Sequence, residues 1–247
     1  MYGKSLLRRE PLGVPHRGIT LTHPSNPVIF MDITIPCHKE TGAENAEHEG
    51  LTSRFMFELF ADLAPTLAAN VYGLCIGSCS RLVEHRPQAA GYRGTLLHDT
   101  LVGQYLIGGD VMGGSGSGFF SAVGERQGPL QIPINELDAL TRTAPERCTQ
   151  TQGLYMQYWN HSAAAKETAE PPKVASTFRM DIEEREAADK MPDNGILIGR
   201  MVYHDEEERS AAKRDLKELT KAVFHAKRAT PSRQNLLFPV ITSCGEM

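Results

Sequence analysis

Short apolar segments separated by glycine and polar turns dominate this chain, and they leave little room for helix. Val28–Ile35 is rich in β-branched and aromatic residues, the mark of a strand. Ser53–Phe60 alternates, so Phe55, Phe57 and Leu59 share one face, and it reads as a second strand returning antiparallel. Two short strands are read near Thr95–Leu97 and Tyr105–Gly108, and longer ones at Gly153–Trp159, Ser176–Ile182, Ile196–Val202 and Leu236–Ile241. Gly153–Trp159 and Ser176–Ile182 are expected to pair. Helix is read only from Thr66 to about Ile76, opened by Pro65 and stopped by Gly77, and over Ser210–Lys227. In the latter, Leu216, Leu219 and Val223 repeat at helical spacing, with Ser210 as the N-cap. About eight strands and two helices predict a mainly β fold. Its most economical form is a closed eight-stranded antiparallel barrel, which removes exposed edges, capped by two α-helices.

The composition narrows the function classes. A chain of 247 residues with 40% hydrophobic residues can bury a substantial core, so disorder as a whole is excluded. The 26 basic and 30 acidic residues leave a net charge of −4, which argues against direct electrostatic binding of nucleic acid. No run of about 18 apolar residues is present, so no membrane span is expected. Cys37, Cys75, Cys79, Cys148 and Cys244 are too scattered for a disulfide framework and fit a reducing compartment. The first residues lack an apolar signal core, and Glu10, Pro11 and Pro15 spoil an amphipathic presequence. Cytoplasmic or cytoskeletal residence is expected, with organellar import as the alternative.

Residues 1–25, rich in Pro, Gly, Arg and His, read as an extended arm outside a domain spanning 26–247. Loop insertions are expected near 36–50, 160–175 and 203–210, the last a solvated charge run. The nine histidines form no metal-binding array, His98 reads as a barrel histidine with a satisfied hydrogen bond, and neither a metal nor a cofactor is expected. Gly113–Gly118 lacks the lysine of a phosphate loop and reads as a surface turn.

Several motifs occur in the order in which the cyclophilins, a family of peptidyl-prolyl isomerases, carry them. Phe57-Glu-Leu-Phe-Ala-Asp62 resembles that family's second strand, and Ala64-Pro-Thr-Leu-Ala-Ala-Asn-Val71 its first helix. Tyr92-Arg-Gly-Thr-Leu-Leu-His98 and Gly108-Gly-Asp110 resemble the segment around its active site. Ser117-Gly118, Gly124-Glu125, Gly199-Arg-Met-Val202, Pro231-Ser-Arg233 and Ser243-Cys-Gly245 are similar to its later landmarks. The resemblance covers residues 26–247. It implies an eight-stranded barrel whose face holds a proline pocket beside an arginine. That arginine donates toward the prolyl nitrogen and weakens the amide resonance, which sets a barrier of about 18–20 kcal/mol.

The groove departs from the family's pattern. Asp99 stands where the resemblance places the catalytic arginine, and an ionised aspartate donates no hydrogen bond. Gln104, Tyr105 and Ile107 replace the pocket's phenylalanine, methionine and glutamine. Tyr158 and Trp159 align with small residues, where they either plug the pocket or form a partner patch. Thr177 lies in the aligned strand, Arg179 replaces a pocket phenylalanine, Gly195 a groove histidine, and Lys190 aligns near the tryptophan that contacts cyclosporin. Two readings follow. In one, the groove is degenerate, cyclosporin does not bind, and the barrel serves protein–protein interaction within a larger complex. In the other, a weak isomerase survives, with Arg179 standing in for the lost arginine.

Overall fold

The computed structural model describes residues 18–36, 50–83, 86–113, 118–159, 171–186, 189–190, 192–230, 234 and 236–247. Strand β1 (Val28–Thr34) sends Ile29, Met31 and Ile33 into the core, and β2 (Thr52–Leu59) meets it antiparallel with Phe55, Phe57 and Leu59 buried. Helix α1 (Pro65–Cys75) follows, then a separate hairpin of β3 (Cys79–Val83) and β4 (Arg86–Ala90). The chain continues through β5 (Leu97–Leu101), β6 (Tyr105–Gly108), β7 (Leu130–Gln131), α2 (Ile134–Arg147), β8 (Gly153–Tyr158) and β9 (Lys173–Asp181). It ends with β10 (Gly195–Val202), α3 (Glu206–Arg228) and β11 (Val240–Glu246). The main sheet runs β11-β1-β2-β10-β8-β9-β6-β5, with β7 beside β9.

The mainly β class holds, but the expected closed barrel does not. The sheet curls into an open antiparallel half-barrel whose end strands, β5 and β11, do not pair along their lengths. One bridge, Leu96 to Val240, brings them together at a corner, with Leu97 N donating to Pro239 O at 2.8 Å and Ile241 N to Thr95 O at 2.9 Å. Beyond it, the pairing of β5 with β6 shifts register between Leu97 and Asp99. The Asp99 carboxylate then accepts the Thr100 N–H at 2.8 Å and pairs with Lys227 of α3. A charged, side-chain-capped edge of this kind discourages further strand pairing.

Three α-helices, not two, are present among the described residues. The unforeseen α2 buries Leu140 and Ala144, and its buried Glu136 accepts from Thr66 N at 3.0 Å and Leu67 N at 3.2 Å. This caps α1, whose own N-cap, Ala64, has no side chain to do so. Residues 206–210, expected as part of a loop insertion, are the first turn of α3. Its N-cap is Asp205, not Ser210: the Asp205 side chain accepts from Glu208 N at 2.8 Å. The last strand begins at Val240 rather than Leu236, because Leu236 and Leu237 lie in a helical turn.

Residues 18–25 are not an arm outside the core. Ile19 is buried with Val28, Met56 and Val202 on the outer side of β2. Next to it, Glu58 is fully buried and accepts from Thr22 N at 2.8 Å, Thr22 Oγ1 at 2.6 Å and Asn26 Nδ2 at 2.8 Å. Arg200, directly across from Glu58 on β10, donates its Nε to Glu58 at 2.8 Å and its Nη2 to Thr20 O at 2.6 Å. The segment is therefore a strap closed over a buried ion pair. Residues 1–17 of the expected arm, and positions 37–49 and 160–170 of the expected insertions, lie outside the described residues.

Candidate functional site

The register of β5, β6, β9 and β8 builds the groove. Asp99 stands opposite Ile107, Ile107 opposite Arg179, and Arg179 opposite Tyr155. Directly opposed residues share a face of the sheet, so these four side chains form one row. Gly109, at the end of β6, has a φ of +79° that suits glycine. A Cβ at Gly109 would also come within 2.5 Å of Phe178 and 2.8 Å of Tyr92. Those two rings pack edge to face at 5.1 Å on the inner side of the barrel.

Arg179 is the centre of the row. It leans along β9 toward Asp181, donating Nε at 2.9 Å and Nη2 at 2.7 Å to the same carboxylate oxygen. Its guanidinium lies 4.3 Å from the ring centre of Tyr105, which faces Asp181 across β6, and 5.3 Å from that of Tyr155. Burial raises the Asp181 carboxyl above its ordinary value, and the Arg179 charge opposes this. Burial, and then the Asp181 charge, push the Tyr155 hydroxyl up, so it stays protonated. That hydroxyl is buried and makes no hydrogen bond of good geometry. The Tyr155 ring lies against Gly153, where a Cβ would approach it to 2.5 Å, so glycine is what lets the ring lie along β8.

The other expected groove residues fall into two groups. Gln104, in the β5–β6 turn, donates its N–H to Leu101 O and accepts from Ile182 N, both at 2.9 Å. Thr177 is buried on β9, two residues before Arg179. Tyr158 does not join the row. It pairs with Val174, while Gly195 pairs with Gln157 and Trp159 N donates to Lys173 O at 2.8 Å. The tyrosine beside Arg179 is Tyr155. The half-buried Tyr158 instead packs against the main core.

His98 also departs from expectation: its Nδ1 is buried without a hydrogen-bond partner in the protein. Burial lowers its pKa from the ordinary 6.5, partly opposed by the Leu96 carbonyl, Asp110 and Asp99. The folded chain therefore binds this proton less readily than the unfolded chain. The His98 contribution to stability is full above about pH 6.5 and is lost as pH falls toward the depressed folded value. The His98 ring should titrate below 6.5 in an NMR pH series of the folded protein. A midpoint at or above 6.5 would contradict the burial argument.

Both charged side chains of the row are engaged within the protein. Asp99 accepts rather than donates, and its carboxylate is already shared between Thr100 N–H and Lys227. Arg179 spends Nε and Nη2 on Asp181. Among the described residues no three His, Cys, Asp or Glu side chains converge to hold a metal ion, and no helix is long and apolar enough to cross a membrane.

No family model matches the chain. Over 106 residues it is 29% identical to peptidyl-prolyl cis-trans isomerase 11 of Caenorhabditis elegans, a match covering 43% of this chain and 49% of that relative. The chain thus spans about half the length of the curated relative it matches. The crystal structure of the Mimivirus cyclophilin superposes with a TM-score of 0.51 at 16% identity, covering 90% of this chain and 89% of that one. At that identity the superposition speaks for the fold, and the partial sequence match adds a relationship in chain. Together with the motif order and the open half-barrel, they support a divergent cyclophilin.

Proposed function

We propose that this protein keeps the cyclophilin barrel as an interaction or structural module of a larger assembly, with a groove that no longer isomerises prolyl bonds. The observation that carries the reading is the state of Asp99. It occupies the place of the family's arginine donor, and it serves the protein's own architecture by capping Thr100 N–H and pairing with α3. Catalysis of this kind needs a free donor placed to within a fraction of an ångström. Arg179 is bonded to Asp181 instead. The second reading, a weak isomerase that uses Arg179, draws support from the isomerase name of the nematode relative and from Arg179 lying beside Ile107. It requires Asp181 to release the guanidinium.

Calorimetric titration separates the two readings at the level of binding. Cyclosporin and a short proline peptide should give no binding heat up to about 100 μM, roughly −5.5 kcal/mol or weaker. Micromolar binding of either would show that the groove still accepts a proline ligand and would overturn the degenerate-groove reading.

A further inference from the structure

Helix α3 buries Leu216, Leu219, Thr220 and Val223 on one side. On the other, Glu207, Arg214, Glu218, Lys221 and His225 are exposed and Ala211 is half-buried. Arg214 and Lys221 leave 72% and 60% of their side chains in solvent, so they are free to meet a partner. From Glu207 to His225 these six positions follow at alternating intervals of four and three residues, beginning and ending on four. Such a stripe repeats every 3.5 residues, the spacing at which two helices keep one seam in contact. Because the intervals read the same from either end, two copies of α3 laid antiparallel match residue for residue about a centre at Leu216.

We infer that the outer stripe of α3 is a self-association surface, through which two copies of this chain pair antiparallel about a two-fold axis at Leu216. The charges follow the same symmetry as the spacing. Arg214 of one copy faces Glu218 of the second, Glu207 faces His225, and the Lys221 stem lies over Ala211; each contact occurs twice. A parallel pair would instead set every charge against its own kind. Sliding the antiparallel pair by seven residues sets Glu207 against Glu218 in one direction, and Arg214 against His225, which offers no counter-charge, in the other. Lys217, close to the axis, brings its own counter-ion, Glu183 at 3.1 Å. Phe224, 40% exposed beside the stripe, falls opposite Ser210 of the second copy and supplies apolar contact. Within one chain Glu218 takes Lys221 at 2.7 Å and Arg214 leans to Asp215 at 3.3 Å, exposed contacts that compete little with the new pairs. The intermolecular pairs are individually weak for the same reason, so the dissociation constant should be on the order of 100 μM at low salt.

Sedimentation equilibrium of the full chain tests this at about 10 to 500 μM in low salt. The average mass should climb from the 27.2 kDa of one chain toward twice that, and fall back when salt is raised to about 0.5 M. R214E sets glutamate against glutamate at both contacts, and E218R sets arginine against arginine. Each should weaken association about tenfold or more. The swap R214E/E218R should restore it, because each contact regains opposite charges. An equimolar mixture of R214E and E218R should associate although neither does so alone. Should a single variant fold poorly, the swap decides, since it keeps both residue types on the helix. A single chain at every concentration, a swap no better than the single variants, or association that both single variants leave unchanged would overturn the inference. The stripe uses none of the groove residues, so these outcomes are independent of those for prolyl isomerisation.

Discussion

Glu58→Ala is expected to destabilise the protein by about 3–5 kcal/mol, the usual cost of leaving one member of a buried ion pair alone. The carboxylate is fully buried and accepts from five donors in two segments: Thr22 N and Oγ1, His23 N and Asn26 Nδ2 before β1, and Arg200 Nε on β10. Removing it strands the Arg200 guanidinium and unlatches the strap at Thr22 and Asn26. Urea unfolding should show the loss as a lower midpoint. The double variant Glu58→Leu/Arg200→Met should recover part of it, because no uncompensated charge is then left. A single-variant cost under about 1 kcal/mol would mean that the strap is decoration on a barrel stable without it.

Asp181→Ala is the second large effect, at about 2–3 kcal/mol, below the fully buried case because both side chains keep a little exposure, 16% for Arg179 and 14% for Asp181. The loss arises from Arg179, left between the rings of Tyr105 and Tyr155 with no carboxylate. Asp181→Asn should cost less, since an amide oxygen still accepts from Nε and Nη2. Equal losses in the two variants, read from the same urea curves, would point to packing around Asp181 rather than to the hydrogen-bonded pair.

Much of the fold was legible in residue patterns. Phe55, Phe57 and Leu59 at period two marked β2, and Leu216, Leu219 and Val223 marked α3. The start of α3 was misread because Glu206, Glu207 and Glu208 look like a solvated run, although acids in a first turn favour the helix dipole. Helix α2 escaped because Pro145 sits inside it and dilutes the spacing of Leu137, Leu140 and Ala144. Closure of the barrel was an inference from strand number, and strand number says nothing about whether the end strands β5 and β11 pair along their lengths.

The site divides in the same way. Asp99 to Asp110 aligned without a gap because Gly108 and Gly109 fix the backbone there, and the row of Asp99, Ile107 and Arg179 follows. The neighbouring β8 has no such anchor, and irregularities between Met156 and Tyr158 and between Leu197 and Gly199 shift its register. Tyr155 therefore meets Arg179, while Tyr158 meets Val174. Two signals in the sequence could have found the site's other members. Asp181 lies two residues from Arg179, hence on the same strand face, and Gly153 lies two from Tyr155, leaving room for its ring.

The central claim is that this barrel carries no working prolyl isomerase, and exchange NMR on a short proline peptide tests it most directly. Spontaneous cis–trans exchange takes tens to hundreds of seconds at 25 °C. With the chain at catalytic concentration the exchange rate should stay at that value, and it should stay there in Asp99→Arg, since Gln104, Tyr105 and Ile107 still replace the family's pocket residues and Arg179 stays paired with Asp181. Acceleration by the unmodified chain to within a few-fold of an active cyclophilin would contradict the account and assign the donor's role to Arg179.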